Sequence, residues 1–138
     1  MKNKQFLLFA ITGGLYLWQS VSLPYGIGIG AMHDDGWFIT KAMNLIDGNW
    51  FGSYDQMTLI KGPVYPIFLA LTSASGLSLQ FSTAFLHLIA ALAFIYALSE
   101  YLESFLAKYT VLILLLMSQF PVQRIIRDEL SFILLLLI

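Results

Sequence analysis

Two short stretches of this chain hold the residue types that proton transfer and phosphate recognition need. The first opens with His33-Asp34-Asp35 and closes with Lys61; the second is Arg124, Arg127 and Asp128. A carboxylate such as Asp34 can take a proton from an attacking hydroxyl. Arginine presents a fork to phosphate oxygens, and lysine a point charge. If the chain is helical after Pro121, then Arg124, Arg127 and Asp128 fall at i, i+3 and i+4 and share a face. Carboxylates and three cations on one side describe a site for a phosphate-activated group. His33, Asp34 and Asp35 also have the chemistry of divalent-ion ligands, but no spacing here closes a coordination shell. Each feature has a plainer reading. Asp34 or Asp35 can cap a helix start, and the arginines can anchor at lipid headgroups or pair with Asp128 and Glu129. The run Gly26-Ile27-Gly28-Ile29-Gly30 lacks the Lys-Ser/Thr that completes a phosphate-binding loop.

The rest of the sequence says where such residues must sit. The chain has 138 residues, 59% of them hydrophobic and 11% charged, with a mean hydropathy of +0.79. Soluble domains carry about 25% charged residues, so a cytosolic globular domain is excluded. A disordered tail needs the opposite composition. The net charge of −1 gives no basic excess for nucleic acid. Cysteine is absent, which removes disulfides, thiolate metal sites and a cysteine nucleophile. Ten of the charged residues fall in two islands, Asp34 to Lys61 and Arg124 to Glu129.

Apolar runs separate the islands. A membrane helix needs roughly 20 mostly apolar residues. The first span is expected over 6–23, after Lys2 and Lys4. A signal peptide competes for this segment, but no small-x-small cleavage site closes it, and Trp18 and Tyr25 read as interfacial anchors. An external loop with interfacial helices follows over 24–76. In it Phe38, Ala42, Leu45 and Ile46 line one helical face, with Lys41, Asn44 and Asp47 elsewhere and Gly48 at the end. Trp50, Phe51 and Tyr54 read as interfacial aromatics, with sugar stacking as the sharper option. Val64 to Thr72 is a short interfacial helix that tolerates Pro63 and Pro66 at its start.

A second span covers 79–98 and contains His87, read as a neutral imidazole bonded to a neighbouring helix. Glu100, Glu103 and Lys108 mark a turn, and a third span covers 105–120. Pro121 ends it, a second external loop covers 121–129, and 130–138 begins a further span. Nine residues at 1.5 Å each cannot cross about 30 Å of hydrocarbon, so the chain reads as the front of a longer protein, a fragment or a truncated frame. The expected fold is an all-α polytopic transmembrane helix bundle. Two crossings separate the islands, which puts both in one aqueous compartment. Lys2 and Lys4 favour a cytoplasmic N-terminus, with the islands outside.

The order of these parts resembles the N-terminal portion of the GT-C superfamily of membrane glycosyltransferases, nearest to the protein mannosyltransferase and aminoarabinose transferase type. The resemblance rests on the acidic pair Asp34-Asp35, the amphipathic stretch to Leu45-Ile46-Asp47-Gly48-Asn49-Trp50, the segment Lys61-Gly62-Pro63-Val64-Tyr65-Pro66, and Arg127-Asp128-Glu129 before another span. It implies a polyprenyl-phosphate-linked sugar donor, inverting transfer to an acceptor hydroxyl, and a site on the outer face of a bacterial plasma membrane. It implies Asp34 as catalytic base with Asp35 beside it, and Asp128 as the acidic residue of the second loop. It also implies Lys61 as a donor-phosphate contact; Tyr65 of the same segment, and Arg124 and Arg127 by their own chemistry, are further candidates for binding the phosphate. The implied partners are the lipid-linked donor, membrane lipids and later spans of the same enzyme. No cofactor is required; a divalent metal held by Asp34 and Asp35 is compatible. Gly62 departs from the family, which often has a proline there, and Arg124 and Arg127 crowd the second site. The alternative is a non-catalytic integral membrane protein or pseudoenzyme remnant. A transporter fragment would want ionisable residues at mid-membrane, where only His87 qualifies.

Overall fold

The computed structural model describes residues 2–22, 32–54, 56–118 and 127–138, except the side chains of Lys2, Met32, His33, Asp34, Leu59, Arg127 and Glu129. Every regular element among the described residues is a helix: α1 (Lys2–Ser22), α2 (Met32–Ile46), α3 (Gln56–Lys61), α4 (Val64–Ala74), α5 (Leu79–Ala97), α6 (Phe105–Ser118) and α7 (Arg127–Leu136). The all-α expectation therefore holds. Among the described residues one helix, Leu79–Ala97, is long and apolar enough to cross a membrane. α1 has the length, at 21 residues, but Gln5, Thr12, Gln19, Ser20 and two glycines dilute its apolar character. The described part of α6 has 14 residues, about 21 Å at 1.5 Å per residue.

Local chemistry sets several helix ends. Ser78 caps α5, its Oγ accepting from the Phe81 N–H at 3.2 Å. Ser104 does the same for α6, accepting from the Ala107 N–H at 3.0 Å. α2 ends in a Schellman turn. The Gly48 N–H donates to Leu45 O at 3.2 Å, and the Asn49 N–H to Asn44 O at 2.8 Å. Gly48 takes a φ of +77°, which a side chain would resist. α2 is described from Met32, so Asp34 and Asp35 lie inside the helix near that end, and neither is its N-cap. Negative charge is favourable there against the helix dipole.

α1, α5 and α6 form one core around Ala91, Ile95, Leu112 and Leu116, with Phe9, Tyr16 and Leu88 packed against it. Small residues let the backbones approach. A Cβ on Gly13 would stand 3.1 Å from Leu88 Cδ2, so the glycine lets α5 lie close against α1. Phe9 packs on Phe105 and Tyr109 of α6, and Tyr16 meets His87 of α5. α1 and α5 thus run antiparallel, and α6 runs back alongside α1. The start of α1 and the 98–104 turn share one end of the molecule. The starts of α5 and α7 share the other, together with α2 and α4.

His87 is 1% exposed. Tyr16 Oη lies 2.8 Å from its Nδ1, and Phe132 of α7 meets the ring edge-on at 6.0 Å between centroids. The imidazole is thus bonded to a neighbouring helix, as its sequence context predicts. Its Nε2 is buried without a partner among the described residues. Thr12 Oγ1 and Tyr109 Oη, 2.9 Å apart, tie α1 to α6. A buried hydrogen bond between helices contributes about 1 kcal/mol net. Tyr16→Phe is therefore expected to lower stability by about that amount. His87→Leu on top of it should cost less than it does alone, which a double-mutant unfolding cycle in detergent measures.

Candidate functional site

At the end opposite the N-terminus, Phe38, Tyr65 and Leu130 form a second buried cluster, supported by Trp37, Phe68, Leu69 and Leu86. The Phe38 and Tyr65 rings meet edge-on at 5.0 Å, the geometry their quadrupoles favour. The cluster draws on α2, α4, α5 and α7. It therefore joins segments from both charge islands across two long intervening helices.

On α2 the buried residues are Asp35, Phe38, Lys41 and Ala42. Asp35, Phe38 and Ala42 follow helical spacing. Two details correct the sequence reading of this helix. Lys41, placed off the buried face, is 3% exposed, and Ile46, placed on it, is 51% exposed. The cause is the loop after Gly48, which folds back along the helix. Lys41 Nζ donates to Ser53 O at 2.6 Å, and Asn44 Nδ2 donates to Phe51 O at 3.4 Å. Phe51 is buried as part of this fold-back, so it is not an interfacial aromatic, while Trp50 and Tyr54 are exposed.

Lys61, the last residue of α3, is half-buried. Its Nζ lies 5.3 Å from the Phe38 ring centroid and 5.8 Å from that of Trp37. Lys41 Nζ lies 5.5 Å from the same indole, so Trp37 is flanked by two cations. Trp37 Nε1 is buried with no partner among the described residues. The turn that aims Lys61 depends on Gly62, whose φ is +68°. Proline is locked near −65°, so a proline cannot take this position. Pro63 then caps α4, and Pro66 sits in its first turn, where no intrahelical N–H is needed.

A cleft of about 180 Å³ opens between the start of α4 and α7, bordered by Lys61, Gly62, Tyr65, Leu130 and Ser131. Pockets for drug-sized ligands begin at about 300 Å³, so this one accommodates a single compact polar group. Of the residues singled out by sequence, Lys61 and Tyr65 line it. Asp35 is 2% exposed on the inner face of α2. Asp128 is exposed in the first turn of α7 and does not border the cleft. Asp34 and Arg127 have their backbones in the first turns of α2 and α7, while their side chains, and Arg124 altogether, lie outside the described residues. Among the described residues no three His, Cys, Asp or Glu side chains gather as a metal site.

Sequence reasoning missed Ser131 and Trp37. Ser131 stands alone in an apolar run and gives no signal. Trp37 had one: Lys41 follows it at i+4, the spacing that sets a cation over a ring on a helix. Comparison of the chain with protein-family models, with curated proteins and with solved structures found no match.

The Gly62 turn makes a direct prediction. Gly62→Ala should cost about 1–2 kcal/mol, the penalty of a left-handed residue with a Cβ. Gly62→Pro should cost more, because its ring excludes the observed φ. Equilibrium unfolding of the two variants gives the order.

Proposed function

We propose that this chain is the N-terminal part of a membrane glycosyltransferase of the GT-C kind, embedded as a polytopic bundle in a bacterial plasma membrane. It takes a sugar from a polyprenyl-phosphate donor and transfers it to an acceptor hydroxyl on the extracytoplasmic side. The observation that carries this reading is the Phe38–Tyr65–Leu130 contact. It holds the helices bearing Asp34, Asp35 and Asp128 together at the end of the bundle where Lys61 borders a cleft of phosphate size. The likeness of the acidic pair and the Lys-x-Pro-x-Tyr-Pro segment to that superfamily supports the same assignment.

In this mechanism Asp34 accepts the proton of the acceptor hydroxyl. The oxygen attacks the anomeric carbon from the face opposite the phosphate. The bond from that carbon to the phosphate oxygen breaks, its electron pair leaves with the polyprenyl phosphate, and the configuration inverts. Lys61, with Arg124 or Arg127, meets the charge that develops on the leaving phosphate. Tyr65 shapes the cleft around it. Asp35 keeps the first turn of α2 in place against α4, and Asp128 orients the acceptor or a cation.

Losing a general base costs about 10² to 10⁴ in rate. In the full-length enzyme Asp34→Asn is expected to lower transfer from a lipid-linked donor by that factor. Near-normal transfer in that variant refutes the assignment, and a larger loss in Asp35→Asn moves the base one residue along. The bundle itself is checked by labelling from outside intact cells. A cysteine in place of Asp47 should react with a membrane-impermeant maleimide, while one in place of Glu103 should react only after permeabilisation. Reaction of both from outside contradicts the crossing.

A further inference from the structure

The molecule has a second concavity, at the other end and of a different character. α1, α5 and α6 leave a groove of about 620 Å³ between them. Phe6, Phe9, Gly14 and Leu92 form its apolar wall, and Gln5 and Lys108 contribute polar groups. Gln5 is near the start of α1, while Lys108, in the first turn of α6, enters about one turn or more further along α1, since Phe105 packs on Phe9 and Tyr109 reaches Thr12. The groove is therefore an apolar channel whose two polar groups, an amide and a cation, both belong to the half nearer the α1 N-terminus. A Cβ built on Gly14 meets nothing within 4 Å, so this glycine leaves real space in the wall.

We infer that this groove binds one acyl chain of an anionic glycerophospholipid, drawn from the bilayer leaflet on the N-terminal side. The lipid phosphate is met by the Lys108 ammonium and the Gln5 amide. The volume lies within the range of about 300–1,000 Å³ for sites of single small ligands. One turn of helix, about 10 Å across and 5.4 Å tall, already takes up about 400 Å³, so a helix would lie across the groove and not in it. An apolar helix seated there would also bury Lys108 without a counter-charge, which is costly. An acyl chain instead brings its own anion to that position, while the methylene stem of Lys108 lies along the apolar wall. No carboxylate lines the groove to oppose that anion.

The test uses the purified full chain titrated with phosphatidylglycerol and with phosphatidylcholine, bound lipid being counted by native mass spectrometry. The wild-type chain should retain phosphatidylglycerol several-fold better than phosphatidylcholine. Gly14→Leu fills open space and should cut retention of both lipids at least fivefold. Lys108→Gln, on the other helix, should abolish the preference between headgroups and keep chain binding; it decides the matter should the leucine variant misfold. Unchanged preference in Lys108→Gln overturns the proposal. So does unchanged retention in a folded Gly14→Leu protein, or efficient disulfide dimerisation of Gly14→Cys in membranes, which would mean that a second copy fills the groove.

Discussion

The ring of Tyr65 is the contact on which this arrangement turns. One edge meets Phe38 of α2, and Leu130 of α7 closes the cluster. That contact joins the start of α7 to the α2–α4 pair, although the intervening chain travels away along α5 and returns along α6. Tyr65 is also four residues from Lys61, with the Gly62-Pro63 turn between them. The position of the cation is thus a by-product of the packing of the ring. The lysine in turn lies over the Phe38 face, a contact that contributes about 0.5–2 kcal/mol depending on its desolvation. The aromatic cluster and the candidate phosphate contact are one unit, and neither can shift alone.

The helices were legible because each signal was local. Apolar runs of helical length gave α1, α5 and α6. Gly48 gave a stop through its backbone freedom, and Pro63 and Pro66 marked the opening of α4. The face of α2 was only half legible. Helical periodicity reports which side of α2 is apolar, but not that the following loop folds back and covers Lys41. That outcome depends on a hydrogen bond across twelve residues, from Lys41 Nζ to Ser53 O, and no window of one helix contains it. Lys61 and Tyr65 were legible as parts of one short segment. Their meeting with Ser131 was not, because it is set by how α7 docks, a long-range fact.

The two ends of the bundle divide the chemistry. The end with α2 and α4 carries aromatic rings, cations and carboxylates in close order. The other end carries an apolar channel with Gln5 and Lys108 among its lining residues. Between them the seam of Gly13, Leu88, Tyr16 and His87 keeps α1 and α5 in register, through close approach at one level and a hydrogen bond at the next. Such a seam resists sliding of one helix along the other, because a shift would break the Tyr16–His87 bond.

The fold-back after Gly48 has a mechanical meaning. Lys41 and Asn44 grip the carbonyls of Ser53 and Phe51, and the Schellman turn locks the corner between them. The segment from Asp47 to Tyr54 is therefore not a tether hanging from α2 but a rigid handle on it. Trp50 projects from that handle with most of its surface open. A force applied to that indole is delivered as torque to the helix whose far turn carries Asp34, so the outer rim of the molecule and its acidic pair turn together.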